Sequence, residues 1–169
     1  MAEVILTLEN FWTLRDQLPL VDARSEGEFA QSHIPGAINV PILNNSERIQ
    51  VGTLYKQAGP EKAMLKGFEL VGPRFHLIQR EALRKFPAKK LILYCWRGGM
   101  RSAGVAWLLD LYGYTIYTLA GGYKAYRNWV VAQFTIPYQC KVLGGFTGSG
   151  KTETLHALQA LKEPIIDLE

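Results

Sequence analysis

The sequence predicts an α/β protein: a doubly wound parallel sheet flanked by helices, followed by the start of a second α/β unit. Three observations carry this expectation. Apolar runs of strand length alternate with apolar residues at helical spacing, as βαβ units require. Two glycine-rich turns, at residues 95–102 and 145–152, each join a strand-like run to a helix-like one. Between them residues 134–139 (FTIPYQ) break the pattern and read as a linker.

The elements follow in order. Leu18-Pro-Leu-Val-Asp22 reads as a buried strand, and Ala37-Ile-Asn-Val40 as a second one stopped by Pro41. Residues 44–87, broken at Gly59-Pro60 and Gly72-Pro73, read as a helical insertion. Leu91-Ile-Leu-Tyr-Cys95 is a third strand and Thr115-Ile-Tyr-Thr-Leu119 a fourth. Between these two, Arg101 to Leu111 carries Val105, Leu108 and Leu109 at helical spacing, with Gly113 as a C-cap. Gly121-Gly122 opens another helix through Tyr126, Trp129 and Val130. In such a sheet, sites lie at the carboxyl ends of strands, where Cys95 stands.

The expected boundaries are 1–133 for the first domain, 134–139 for the linker and 140–169 for the second unit. In that unit Lys141-Val-Leu143 restarts a strand, a helix runs from about Lys151 to Leu161, and Ile165-Ile166 reads as a strand. One βαβ unit is too little for a nucleotide-binding domain. The chain is therefore expected to end inside its second domain, as the N-terminal part of a longer protein.

Hydrophobic residues make up 48% of the 169 and charged ones 20%, which is ordinary for a soluble domain. No apolar run nears the roughly 18 residues of a membrane span, and the start MAEVILTLENF has no basic n-region or cleavage site. A cytoplasmic protein without a membrane partner is expected. The net charge of +4 hides an asymmetry: residues 70–151 hold twelve Lys/Arg against Glu81 and Asp110 alone. That stretch suits a polyanion, with Arg74, Arg80, Arg84, Lys85, Lys89 and Lys90 as candidate contacts to RNA phosphates.

Tyr94-Cys95-Trp96-Arg97-Gly98-Gly99-Met100-Arg101-Ser102 joins a buried strand to a helix. Glycines let successive N–H groups converge on one centre, and the helix start adds its positive end. With Arg97 and Arg101 near, these donors depress a thiol pKa, so Cys95 reads as a thiolate nucleophile. Trp96, Arg97, Gly98, Gly99, Met100 and Arg101 are the candidate anion- and substrate-binding residues. Trp96 reads as a prop for the loop or as a surface on which a base stacks. Cys140, opening the strand after the linker, reads as a packed core thiol and not as a partner for Cys95.

The second turn, Gly145-Phe-Thr-Gly148-Ser149-Gly150-Lys151-Thr152, matches G-x-x-x-x-G-K-[ST]. Gly145, Gly148, Ser149, Gly150, Lys151 and Thr152 are the candidate phosphate-binding residues. Backbone N–H groups would face a phosphate, Lys151 would add charge, and Thr152 would supply a hydroxyl to Mg²⁺. The residues leave open whether the ligand is a nucleotide or another diphosphate. No tightly bound cofactor and no resident protein metal site are read from the sequence.

Val21-Asp-Ala-Arg-Ser25, Glu28-Phe29 and His33-Ile-Pro-Gly-Ala-Ile-Asn39 together resemble the N-terminal signature of rhodanese domains. The Cys95 loop and Leu119-Ala-Gly-Gly122 resemble their active-site loop and closing turn, so the likeness covers residues 1–133. It implies that Asp22, Arg24 and His33 brace the scaffold under Cys95. One departure stands out: Arg101 follows Cys95 by six, the cysteine-x5-arginine spacing of phosphatases. The longer loop makes a wider cradle, suited to a tetrahedral oxyanion. It disfavours a plain sulfurtransferase and makes a rhodanese-fold phosphatase or arsenate reductase a rival; a non-catalytic tRNA- or nucleotide-binding module is another.

A rhodanese pattern followed directly by a P-loop resembles the N-terminal part of the selenophosphate-dependent tRNA 2-selenouridine synthase family, and the ending Ile165-Ile-Asp-Leu-Glu169 fits it. The resemblance implies a transferase that replaces sulfur by selenium in wobble 2-thiouridine of tRNA. Selenophosphate is its donor, and geranyl diphosphate gives an S-geranyl intermediate. Cys95 would handle selenium, Arg97, Gly98, Gly99 and Arg101 would hold the anion, and Lys151 with Thr152 the diphosphate. Neither the resemblance nor the residues fix an oligomeric state.

Overall fold

The computed structural model describes residues 3–167. Leu168 and Glu169, the last two residues of the ending singled out above, lie outside that range. The described chain falls into two compact units, Met1–Phe134 and Thr135–Glu169.

In the first unit five parallel strands form one sheet: β1 (Glu3–Leu6), β2 (Leu20–Asp22), β3 (Ile38–Asn39), β4 (Lys90–Tyr94) and β5 (Thr115–Leu119). Their spatial order is β1-β5-β4-β2-β3. Strand order reverses between β2 and β4, which makes their carboxyl ends the crevice where sites form in such sheets. Leu20 pairs with Ile92 and Asp22 with Tyr94 across that junction. Beyond it the Ala23 N–H donates to the Tyr94 carbonyl at 2.9 Å. The two chain segments that carry Asp22-Ala-Arg24 and Cys95 are thereby fixed side by side.

Strand alternation sorts the core onto two faces. Leu91 and Leu93 join Val21, Phe86, Val105 and Leu109 on one side. Ile92 and Tyr94 join Phe11, Ile34, Leu119 and Tyr123 on the other. The first face is covered by α5 (Phe75–Lys85) and α6 (Met100–Asp110), and the second by α1 (Leu8–Leu14) and α7 (Gly122–Gln133). After α6, Gly113 takes a left-handed φ of 79° and turns the chain into β5, as its place in the sequence predicts.

The segment between β3 and β4 is a helical insertion. Its helices are α3 (Asn45–Ala58), α4 (Pro60–Val71) and, after a 3₁₀ turn at Gly72–Arg74, α5. Gly59 (φ 88°) with Pro60 makes the break between α3 and α4. A capping box starts α3: the Asn44 side chain accepts from the Glu47 N–H, and Glu47 accepts from the Asn44 N–H. A third apolar cluster, Leu43, Val71, Ile78 and Leu108, ties the insertion to α6. Three elements have no counterpart in the sequence reading: β1, α1, and α2 (Glu26–Gln31), which Ser25 and Glu28 cap.

In the second unit the helix after the glycine-rich turn forms as α8 (Lys151–Ala160). The strands expected at Lys141-Val-Leu143 and Ile165-Ile166 do not form. A strand is a ladder of hydrogen bonds, and among the described residues neither segment has a neighbouring strand to pair with. Val142 and Ile166 stay largely exposed as a result. Cys140 is likewise an exposed free thiol, which corrects the expectation of a packed one; without the strand nothing covers it. Among the described residues no helix is long and apolar enough to cross a membrane.

Candidate active site

Cys95 sits at the carboxyl end of β4 with 3% of its surface exposed. Its Sγ accepts from the Gly99 N–H at 3.3 Å and lies 3.3 Å from the Ser102 hydroxyl. Ser102 Oγ in turn stands 2.9 Å from the Gly99 carbonyl, so hydroxyl, loop backbone and thiol form one network. Burial would push the thiol up. Hydrogen bonds from the Ser102 hydroxyl, the Ser102 N–H and the Gly99 N–H outweigh it, and the Arg101 charge adds to them. The thiol pKa is thus lowered, and Cys95 is poised as a nucleophile.

The loop is held from beneath by the turn before α7. Gly98 (φ 64°) and Gly122 (φ 55°) face each other in the left-handed region. A Cβ on Gly122 would stand 2.3 Å from the Cys95 carbonyl, and one on Gly98 2.7 Å from the Leu119 carbonyl. Only glycine permits this approach. Across the contact the Tyr123 N–H donates to the Cys95 carbonyl and the Lys124 N–H to the Trp96 carbonyl, at 2.8 and 3.0 Å. Trp96 packs on Tyr123 with ring centroids 5.7 Å apart, so it props the loop. Arg97 is exposed, and Met100 is 53% exposed at the start of α6.

Arg101 does not point at an empty anion cradle. Its Nη1 donates to Glu28 Oε2 at 2.6 Å and its Nη2 to Oε1 at 3.4 Å. Glu28 also accepts from the Ser25 N–H and hydroxyl, both at 3.2 Å, and Arg48 Nε lies 3.8 Å away. Burial would raise the Glu28 carboxyl, but the Arg101 hydrogen bond and charge, the Ser25 N–H and the Arg48 charge hold it below the usual range. Glu28 and Ser102 thus contact the groups of the thiol loop directly, although the sequence reading quotes them in its motifs without giving either a role. The spacing Ser25-x-x-Glu28 is a capping-box signal, which explains the position of the carboxylate but does not reveal its arginine.

Asp22 and Arg24 are fully buried beneath the loop and paired, with Arg24 Nη2 donating to Asp22 Oδ2 at 2.6 Å. The guanidinium also donates to the Ser32 carbonyl and lies over the Tyr123 ring, 4.1 Å from its centroid. Both residues serve as a brace. His33 lies apart: it is exposed, stacks on Phe29 and bonds through Nδ1 to the Phe29 carbonyl.

Beside Met100 and Arg101 a cavity of about 700 Å³ opens between α6 and the α3–α4 hairpin, walled mainly by apolar side chains. In the second unit Gly148 and Gly150 both take left-handed φ angles (78° and 77°). They fold residues 145–150 over the start of α8. Ser149 packs against Gly145, and Lys151 Nζ donates to the Phe146 carbonyl at 3.2 Å. Thr152 lies in the first turn of α8. The curled backbone, the lysine and a hydroxyl at a helix start fit a phosphate group with its Mg²⁺.

Residues 7–128 match the family described as the rhodanese-like domain. Curated relatives include a tRNA 2-selenouridine synthase of Bdellovibrio bacteriovorus, 40% identical over 161 residues, which are 92% of this chain and 42% of that protein. One from Nitrosomonas europaea is 39% identical over 89% of this chain and 40% of its own length. The chain spans about two-fifths of the length of the curated relatives it matches. Among solved structures, the N-terminal domain of a putative ATP/GTP binding protein from Clostridium difficile 630 superposes with a TM-score of 0.70 at 41% identity. That match covers 75% of this chain and 98% of the other.

Proposed function

This chain belongs to the rhodanese-like domain family, and from that premise we propose that it is the thiol-bearing part of a transferase that exchanges sulfur for selenium in tRNA. The observation that carries the reading is the state of Cys95: a buried thiol, acidified by Ser102 and Gly99, at the head of a cysteine-x5-arginine loop. A nucleophile so placed suits a tetrahedral selenium donor such as selenophosphate better than the single sulfur atom of a shorter loop. The curated relatives named tRNA 2-selenouridine synthase support the same chemistry.

In this reading the wobble 2-thiouridine is first S-geranylated from geranyl diphosphate. Selenium then replaces sulfur at C2: the C2–Se bond forms, the C2–S bond breaks, and sulfur leaves with its chain as geranylthiol. The phosphoryl group of the donor passes to water as phosphate. Cys95 is the thiolate that handles selenium, Gly98, Gly99 and Arg97 line the anion's approach, and Arg101 reaches it in exchange for Glu28. Lys151 and Thr152 would hold a diphosphate, with Mg²⁺ supplying charge neutralisation when bound. Exposed Arg80 and Arg84 on α5 and Lys124 and Arg127 on α7 offer phosphate contacts for tRNA in the cytoplasm.

The test is mass spectrometry of tRNA from cells lacking the full-length gene, restored with wild type or with Cys95→Ser. The wild type returns 2-selenouridine and the variant does not; 2-selenouridine persisting in the deletion strain overturns the reading. The loop spacing favours a second reading, a rhodanese-fold phosphatase. It is supported only if the protein releases phosphate from p-nitrophenyl phosphate and Cys95→Ser abolishes this.

A further inference from the structure

Ser102 faces two acceptors and has one hydroxyl hydrogen to give. Its Oγ stands 3.3 Å from Cys95 Sγ and 2.9 Å from the Gly99 carbonyl oxygen. Ser102 is fully buried and Cys95 nearly so, which leaves solvent little part in the exchange. The Gly99 carbonyl also accepts from the Ala103 N–H at 3.1 Å, so it keeps a partner when the hydroxyl turns away. The N–H groups of Gly99 and Ser102 that stabilise the sulfur are fixed by the backbone. Of the three donors, the hydroxyl alone can turn.

Where its hydrogen goes follows from the charge on sulfur. With Cys95 a thiol, the S–H donates to Ser102 Oγ and the hydroxyl to the Gly99 carbonyl. With Cys95 a thiolate no S–H remains, and the hydroxyl turns to the sulfur, since a bond to a charged acceptor is about twice as strong as one to a neutral acceptor. With a group X bonded to it the sulfur is neutral and a weak acceptor, so the hydroxyl returns to Gly99. The contact is therefore present in the thiolate, absent in the adduct and regained as the S–X bond breaks. Only a contact that is stronger in the transition state than in the ground state speeds a step. During attack, charge drains from the sulfur and the contact weakens. During departure, charge builds on the sulfur and the contact strengthens.

We propose that Ser102 is a catalytic residue for the departure of the Cys95 sulfur, so that the loop is built to give up a bound group as well as to take one. In the departing step an incoming nucleophile bonds to X and the S–X bond breaks. Its electron pair stays on sulfur, where the Ser102 hydrogen meets it; no oxidant or reductant is consumed. Near neutral pH the hydroxyl still aids attack by keeping the thiol ionised, a help that vanishes once ionisation is complete. The role holds for any group that the sulfur carries, so it goes beyond the selenium-exchange reading and does not fall with it.

The experiment times both steps in a Cys140→Ser background, with Ser102 or with Ser102→Ala. Attack is the rate of alkylation by iodoacetamide on the alkaline plateau, where Cys95 is fully ionised. For departure, methyl methanethiosulfonate first places a methylthio group on Cys95. Dithiothreitol then removes that group by attack at its outer sulfur, because the Cys95 sulfur is buried, and mass spectrometry follows the loss. Ser102→Ala should slow departure by about tenfold, the effect of losing a hydrogen bond to a charged group. Plateau alkylation should not slow, and should rise by roughly two- to threefold, because the more basic thiolate is the better nucleophile. Opposite movement of the two rates is the signature. A loop merely loosened by the substitution would expose the sulfur and speed both steps, which overturns the proposal. Departure that is not slowed, or two steps slowed alike, overturns it as well.

Discussion

The substitution Glu28→Gln isolates the electrostatic link between the insertion side of the molecule and the thiol loop. The amide oxygen keeps an acceptor for the Ser25 N–H, so the cap of α2 survives, while the charge opposite Arg101 and the weaker acceptor for its Nη2 are lost. The pair is 2.6 Å long with side-chain exposures of 25% and 14% for Arg101 and Glu28, so solvent screens it only in part. Exposed pairs contribute roughly 0.2–1 kcal/mol, and breaking a fully buried one costs roughly 3–5. This intermediate case should cost about 1–3 kcal/mol at pH 7, or roughly 3–15 °C in the melting temperature of the first unit. The pH dependence follows from the lowered carboxyl of Glu28. Its stabilisation is present above the unfolded value of about 4.3 and is lost as pH falls through the lower folded value. Melts followed by circular dichroism should therefore show a full gap at pH 7 that closes below about pH 4. Equal melting at pH 7, or a gap that persists unchanged in acid, would refute this account of Glu28.

Further outcomes follow from the same geometry. In a Cys140→Ser background, the pH profile of Cys95 alkylation by iodoacetamide should have its midpoint below the roughly 8.5 of an ordinary thiol, and Ser102→Ala should shift it upward; a profile unmoved by Ser102→Ala would deny the hydroxyl its role. Gly122→Ala should destabilise by at least about 2 kcal/mol in urea unfolding, because a left-handed backbone and the Cys95 carbonyl both exclude its methyl group; a loss under about 0.5 kcal/mol would contradict the packing. Arg24→Leu strands the buried Asp22 carboxylate and should cost about 3–5 kcal/mol by the same assay, whereas a near-neutral result would mean that Asp22 finds another partner.

Much of this fold is visible in the sequence because parallel strands buried on both faces must be apolar throughout. Leu91 to Tyr94 and Thr115 to Leu119 therefore declare themselves. The Cys95 loop is equally legible, since a thiol followed by two glycines and an arginine leaves few other reasons for that composition. β1 is hidden because Glu3-Val-Ile-Leu6 is an edge strand of four residues whose partner, β5, lies far along the chain. The segments around the P-loop read as strands where none form, because periodicity reports what a segment would do beside a partner and not whether one is there. Glu28 and the cavity are beyond reach for a different reason. Glu28 is placed where α2 meets α3 and α6, the cavity lies between α6 and the α3–α4 hairpin, and no local pattern encodes either meeting.

The position of Glu28 changes what the cysteine-x5-arginine spacing means here. Such spacing alone suggests a loop with a standing appetite for oxyanions. In this chain the arginine is already satisfied at 2.6 Å, while the thiol draws its acidity chiefly from Ser102 and Gly99. In the proposed reaction, activation of the nucleophile thus falls mainly to Ser102 and Gly99, and capture of the anion to the arginines. A free oxyanion must compete with a carboxylate held in place by Ser25 as well as by Arg101, so the loop should bind small anions weakly. A ligand that adds binding energy elsewhere, through an apolar chain or a tRNA backbone, can meet that competition, because its anion is delivered at high local concentration.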